Sequence, residues 1–238
     1  LGIILIVNIQ KNQVDKIAGV DEIQSDAYTE ITTNSEWDYY VNDDNNTTIS
    51  LTNYKGNATE LTIPSTIDGY AVTTLRSELF YGNKTITTLT IPENITHIDS
   101  GLFTNHTYPD GTQVNYNATE ANLTQDGGNS FSGFFGSSVT TINIGNNVKY
   151  IPHNLIQNTS VETLVIPSSV TKLDNNVFMS CDNLKSVTFL GNLDNLREGT
   201  FMLCENLEQV ILPSNLKEIG AMTFWGCKSL GQIDIPNT

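Results

Sequence analysis

Basic residues are scarce in this chain. Its 238 residues include 11 Lys and Arg against 26 Asp and Glu, a formal net charge of −15. Nucleic-acid phosphates repel such a surface, so nucleic acid is not an expected partner. Residues 1–60 hold ten acids and three bases, net −7, and the remainder of the chain holds sixteen and eight, net −8. Cysteine is nearly absent: three residues make no disulfide framework. Long apolar runs are missing too. The longest, Leu1-Gly2-Ile3-Ile4-Leu5-Ile6-Val7, is too short to cross a bilayer, so no membrane insertion is expected in the residues present. It fits the inner end of a signal-peptide core, or else an edge strand.

Chemistry-bearing constellations are equally thin. His97, His106 and His153 share no metal-ligand spacing and none lies beside a cysteine. Asp43, Asp44 and Asn46 lack the glycine-turned loop and terminal glutamate of a calcium site. Gly128-Asn129-Ser130-Phe131-Ser132-Gly133 lacks the spacing of a nucleophile elbow. Asn57, Asn94, Asn117 and Asn122 start Asn-x-Ser/Thr sequences, which matter only if the source glycosylates. No catalytic residue, metal or cofactor is expected, and the chain does not read as an enzyme.

What is present is a repeat. Leu164-Val165-Ile166-Pro167 aligns with Val187-Thr188-Phe189-Leu190, Val210-Ile211-Leu212-Pro213 and Ile233-Asp234-Ile235-Pro236, each start lying 23 positions after the last. The same offset relates Phe178, Phe201 and Phe224, then Cys181, Cys204 and Cys227, then Leu184, Leu207 and Leu230. A fixed period of this length signals a solenoid, whose units bury their apolar faces on one another. In each strand the first and third residues are apolar, so Leu164 and Ile166 share one face and Thr163 and Val165 the other. The following proline ends the ladder. The repeated cysteine position reads as a buried column of small side chains, with a bridge between neighbouring coils as the alternative.

Taken in order, residues 1–35 form a polar leader with the apolar start as a signal-peptide remnant. Residues 36–60 form a β cap, with Trp37–Val41 and Thr48–Thr52 as a hairpin closing the open end. Coils fill 61–238. The first, from Leu61, exceeds the standard period by five, with Ile67-Asp68-Gly69-Tyr70 as its extra turn. The step from Leu89 to Ile142 spans 53 positions, a surplus of 30 over one period, assigned to an insertion at 104–135. Tyr108 and Gln113–Tyr116 there are expected to pair as a hairpin around Pro109-Asp110-Gly111. The chain stops four residues into a seventh strand-and-turn, so it reads as a fragment.

The unit Leu-x-x-Val-x-Phe/Leu…Leu-x-x-Ile-x-x-x-x-Phe-x-x-Cys-x-x-Leu, as in Leu184–Leu207 and Leu207–Leu230, resembles the BspA-like leucine-rich repeats. The lead-in Ile49–Gly56, followed by Leu61–Tyr70, is similar to that family's usual opening. The resemblance covers about 36–238 apart from the insertion. Gly145 and Leu190 depart from it at proline positions. It implies a mostly β fold: a right-handed leucine-rich-repeat solenoid with a parallel concave sheet, about six 23-residue coils plus a partial seventh, and an N-terminal β-hairpin cap. It also implies an extracellular or cell-surface location and adhesion to a protein or glycan ligand, such as host matrix or another cell. The alternative is a structural spacer displaying another domain of a larger surface protein.

Two binding surfaces follow as candidates. One is the outward strand face, with a first row of Glu60, Thr88, Thr141, Thr163, Ser186, Gln209 and Gln232. Its second row is Thr62, Thr90, Asn143, Val165, Thr188, Ile211 and Asp234. A ladder that only stabilises neighbouring strands is the competing reading of both rows. The other surface is the insertion, where Tyr108, Tyr116, Phe131, Phe134 and Phe135 either form an adhesive patch or pack back on the coils.

Overall fold

The computed structural model describes residues 31–42, 46–77, 79–99, 111–119, 121–124 and 139–236. The expectations for residues 1–30, for Asp43 and Asp44, for His106, and for Tyr108, Phe131, Phe134 and Phe135 lie outside these residues. The described chain is strands and turns without a helix.

The cap begins earlier than residue 36. β1 (Thr32–Thr33) pairs antiparallel with β2 (Trp37–Val41), and β2 with β3 (Thr48–Tyr54). Period-two alternation sends Trp37 and Tyr39 inward with Ile49 and Leu51, and Tyr54, off that parity at the end of β3, is buried too. Trp37 and Tyr54 meet at 4.6 Å, and Tyr54 edges onto Phe80 of the first coil at 6.1 Å. The hairpin therefore lids the core end, as expected of a repeat array.

The first coil supplies β4 (Glu60–Thr62), β5 (Thr66–Ile67) and β6 (Tyr70–Leu75). β5 and β6 form a two-residue hairpin, with Asp68 at φ 50° and Gly69 at φ 88°. Positive φ at both centres is the turn whose twist matches paired strands, which is why Asp-Gly stands there. Tyr39 clamps this turn by donating its hydroxyl to Asp68 Oδ2 at 2.7 Å. Next come β7 (Thr88–Ile91) and β8 (His97–Asp99), then β9 (Thr112–Tyr116) and β10 (Asn122–Thr124). The remaining coils supply β11 (Val139–Ile144) and β12 (Tyr150–Ile151), β13 (Thr163–Ile166) and β14 (Lys172–Leu173). The last strands are β15 (Ser186–Phe189), β16 (Asn195–Leu196), β17 (Gln209–Ile211) and β18 (Glu218–Ile219).

Each coil thus gives one strand to a main sheet and one to a second sheet, with the core between them. The main sheet runs β4-β7-β9-β11 and then β13-β15-β17, all parallel. No strand pairing joins β11 to β13 among the described residues; a backbone bond, Ser160 N–H to Val139 O at 2.9 Å, ties the turn before β13 to the start of β11. The second sheet begins β3-β6-β8-β10, so the cap extends this sheet and leaves β4 as an edge of the main one. Beyond it the pairs β12-β14 and β16-β18 carry the same side onward.

The expected insertion is overturned here. β9 lies between β7 and β11 in the main sheet, with Val114 opposite both Leu89 and Ile142. The long step from Leu89 to Ile142 is therefore two periods, each somewhat stretched, with Val114 as the middle anchor. Residues 112–119 and 121–124 are part of a coil. They do not form a hairpin arm: β9 is parallel to both neighbours, and β10 pairs in parallel with β8, Leu123 opposite Ile98. The physical driver is burial, since Val114, Tyr116, Ala118 and Ala121 are all fully enclosed.

At the other end, the strand expected from Ile233 is not formed. Lys185 N–H binds Glu162 O at 2.7 Å and Glu208 N–H binds Lys185 O at 2.8 Å. The next position in that column is Gly231, and no backbone bond joins residues 231–236 to β17 among the described residues. Glycine loses the most backbone freedom on ordering, which disfavours the anchor there. Ile233 still packs partly against the core.

The arcs between sheets turn through left-handed residues in two columns. One holds Asn154, Asn176, Gly199 and Met222; the other holds Asn158, Ser180, Leu203 and Gly226, all with φ between 56° and 81°. Asn and Gly suit this region and the others are tolerated because adjacent arcs are bonded together. Phe178, Phe201 and Leu203 donate their N–H groups to Thr200, Thr223 and Trp225 of the following coil. Inside the arc Phe178, Phe201 and Phe224 stack at 5.1 and 5.5 Å with planes 16° and 7° apart. All three cysteines are free thiols, so the bridged alternative is not the one formed. Cys181, Cys204 and Cys227 each donate to a carbonyl of the preceding coil, Ile156 O, Phe178 O and Phe201 O, at 3.0–3.1 Å. The column thus satisfies arc carbonyls as well as filling space. Cys227 is only partly buried.

Candidate binding face

The outward rows of the main sheet are real and in register. In the first row Glu60 lies opposite Thr88, Thr88 opposite Gln113, and Gln113 opposite Thr141. Beyond the break Thr163 lies opposite Ser186, and Ser186 opposite Gln209. In the second row the order is Thr62, Thr90, Asn115 and Asn143, then Val165, Thr188 and Ile211. Gln113 and Asn115 were missed as face residues because residues 104–135 read as an insertion. The alternation Val114-Asn115-Tyr116, a little over one period after Leu89, was the available signal. Gln232 and Asp234 are exposed but sit past the last strand, where Gln232 Nε2 donates to Asp234 Oδ1 at 3.3 Å.

The two halves of this face differ chemically. In the first half, amides and hydroxyls bond along the row. Asn143 Nδ2 donates to Asn115 Oδ1 at 2.9 Å, and Asn115 Nδ2 donates to Thr90 Oγ1 at 3.0 Å. Gln113 Nε2 also donates to Asn115 Oδ1, at 3.0 Å. In the second half Val165 is 54% exposed and Ile211 49%, flanking Thr188. Leu190, where most other coils place proline, is 62% exposed. Parity puts it on the same side as Ser186 and Thr188. Exposed aliphatics clustered on a sheet face are informative in a way that scattered ones are not.

The second candidate surface loses its described member. Tyr116 is fully buried under the main sheet, and burial pushes its phenol well above the usual range. It occupies the inward position at the end of β9, where a ligand on the outer surface does not reach it.

Titratable groups elsewhere form structural contacts. Tyr150 donates to Asp174 Oδ2 at 2.6 Å, Lys172 Nζ lies 4.5 Å over the Tyr150 ring, and His153 Nδ1 is 4.0 Å from the same carboxylate. Burial alone raises the Asp174 pKa, but the Tyr150 and Asn175 hydrogen bonds and the nearby positive charges bring it below the usual value. Arg76 Nε meets the buried Asp99 at 3.0 Å. Coil-to-coil pairs Glu162–Lys185, Asp194–Lys217 and Glu205–Lys228 are exposed and contribute little each. No group of three or more His, Cys, Asp or Glu among the described residues is placed to hold a metal ion.

The model of the BspA type leucine rich repeat region matches in six copies, over residues 21–155 and 127–238. Among solved structures, a T. pallidum leucine-rich repeat protein is 20% identical with a TM-score of 0.52, covering 85% of this chain and 91% of that one. A leucine-rich cell surface protein from Faecalibacterium prausnitzii is 18% identical with a TM-score of 0.33, covering 87% and 83%. The pneumococcal vaccine antigen PcpA is 15% identical with a TM-score of 0.41, covering 81% and 78%. No curated protein matches in sequence. The likeness to the T. pallidum protein is one of fold.

Proposed function

We propose, since this chain belongs to the BspA type leucine-rich repeat family, that it is a non-enzymatic module displayed outside the cell. It binds a protein or glycan ligand through the outward face of its main sheet. The observation that carries this reading is the register. Two rows of side chains are held at ~4.8 Å spacing on parallel strands, over four strands and then over three, so an extended ligand meets a preformed surface. A spacer that merely holds another domain is the second reading. It is favoured by one feature, the bonds Asn143 to Asn115 to Thr90, which let the first half of the face satisfy itself.

The test is binding of the purified chain to arrays of matrix proteins and glycans, with a face variant as control. Thr62, Thr141 and Gln209 are exposed on β4, β11 and β17, so replacing all three with arginine obstructs the face without touching the core. Binding by the wild type that the variant loses supports the module. Equal binding by both moves the site off this face, and no ligand for either leaves the spacer.

A further inference from the structure

We infer that the aliphatic strip Val165–Leu190–Ile211 is a docking site for a protein segment that combines aliphatic and basic side chains. This rests on the reading of the main-sheet face as the binding surface. The strip is local: Val165 lies on β13, Ile211 on β17 and Leu190 one residue past β15, beyond the point where strand pairing in the main sheet is interrupted. On the near side of that break the outward residues are polar and partly bonded to one another. On the far side each coil places an exposed aliphatic on the face or at its edge, with the Thr188 methyl between.

Charge selects among occupants. The paired residues of the two outward rows contain one acid, Glu60, and no base, and the exposed Asp234 follows past the last strand. At the strip's border Glu162 and Glu208 are exposed, and Lys185 between them is ion-paired to Glu162 at 2.8 Å. A second copy of the chain, carrying its own −15, is repelled, as are anionic lipid surfaces and acidic polysaccharides. A neutral glycan gains little, because Val165, Leu190 and Ile211 offer it no hydrogen bond and the strip contains no ring to stack on. A protein segment that sets aliphatic side chains on the strip and lysine or arginine toward Glu162 and Glu208 satisfies both features. Burial supplies the holding force and complementary charge the orientation and the approach rate.

The experiment uses the full chain and two fluorescent ten-residue peptides, alternating lysine–valine and alternating glutamate–valine, followed by anisotropy. The lysine peptide is expected to bind, with salt weakening it through screening. In the triple variant Val165→Thr, Leu190→Thr and Ile211→Thr, affinity is expected to fall at least about tenfold with the melting temperature unchanged, threonine keeping the β preference. Hydrogen exchange is expected to slow on β13, β15 and β17 in the complex. Lysine-peptide affinity unchanged in the triple variant overturns the proposal. So does equal binding of the glutamate peptide, no binding of either, or sedimentation showing that the strip joins two copies. The wider reading falls separately. If the Thr62, Thr141 and Gln209 variant loses an array ligand that the triple variant keeps, the face binds and only the strip's role is wrong.

Discussion

Replacing Phe201 with alanine tests the coil register most directly. The ring is fully buried, stacked on Phe178 at 5.1 Å and on Phe224 at 5.5 Å, with Phe189 edge-on at 6.5 Å. Truncating a buried phenylalanine costs about 3–5 kcal/mol in transfer and cavity terms. Two ring pairs, each worth about 0.5–1.5 kcal/mol beyond burial, place this site at the upper end, about 5 kcal/mol. The arc cannot collapse to fill the hole, because its backbone is bonded on both sides: Phe201 N–H to Thr223 O, and Phe178 N–H to Thr200 O. In a solenoid the loss is felt first across one interface, so the coils after 201 are expected to fray before the rest. Urea denaturation followed by near-ultraviolet circular dichroism measures the total. Hydrogen exchange locates the fraying, which should begin at β17 and β18. A loss under about 1 kcal/mol, well short of the usual cost of such a truncation, refutes the stacked column and the coil register with it.

Three further outcomes follow from the packing. Replacing residues 107–130 by a short Gly-Ser link removes β9, β10 and the enclosed Val114, Tyr116, Ala118 and Ala121; it is expected to cost more than ~5 kcal/mol, and a cooperative melt within a few degrees of wild type would show the coil to be dispensable. Cys227 is expected to react with a thiol reagent before Cys181 and Cys204, which await unfolding. Burial pushes the Cys227 thiol up to about 11, so its labelling rate should rise about tenfold from pH 8 to pH 9 and not level off below its pKa. Gly199→Ala places a Cβ against Asn176 Oδ1, the end of a side chain that can swing aside, so the cost comes from the backbone held at φ 62°; a loss of about 1–2 kcal/mol is expected in thermal melts, and adding Asn176→Ala should not recover it.

The sequence by itself determined the solenoid. Coils from Ile142 to Leu230 repeat the same inward positions, and only stacked neighbours can bury Leu164, Phe178 and Leu184 together. The cap was legible from its alternation and aromatic content, and the Asp68-Gly69 turn from the φ that only such residues adopt readily. The rows of outward residues followed from strand parity. The coil that begins at Thr112 was not legible. Its strand carries Tyr116 where most coils have a branched aliphatic, Asn117 where most have proline, and unequal, stretched spacings to Leu89 and Ile142 that no fixed-period alignment reaches. Burial, which depends on neighbours far along the chain, placed Tyr116 inside rather than on an adhesive flank. The tertiary structure alone decided that the cap extends the second sheet and that main-sheet pairing lapses between β11 and β13. It also decided that Asn143, Asn115 and Thr90 bond to each other while Val165, Leu190 and Ile211 stand in water. Local pattern fixes which way each side chain points; what it meets there is set by a residue one coil away.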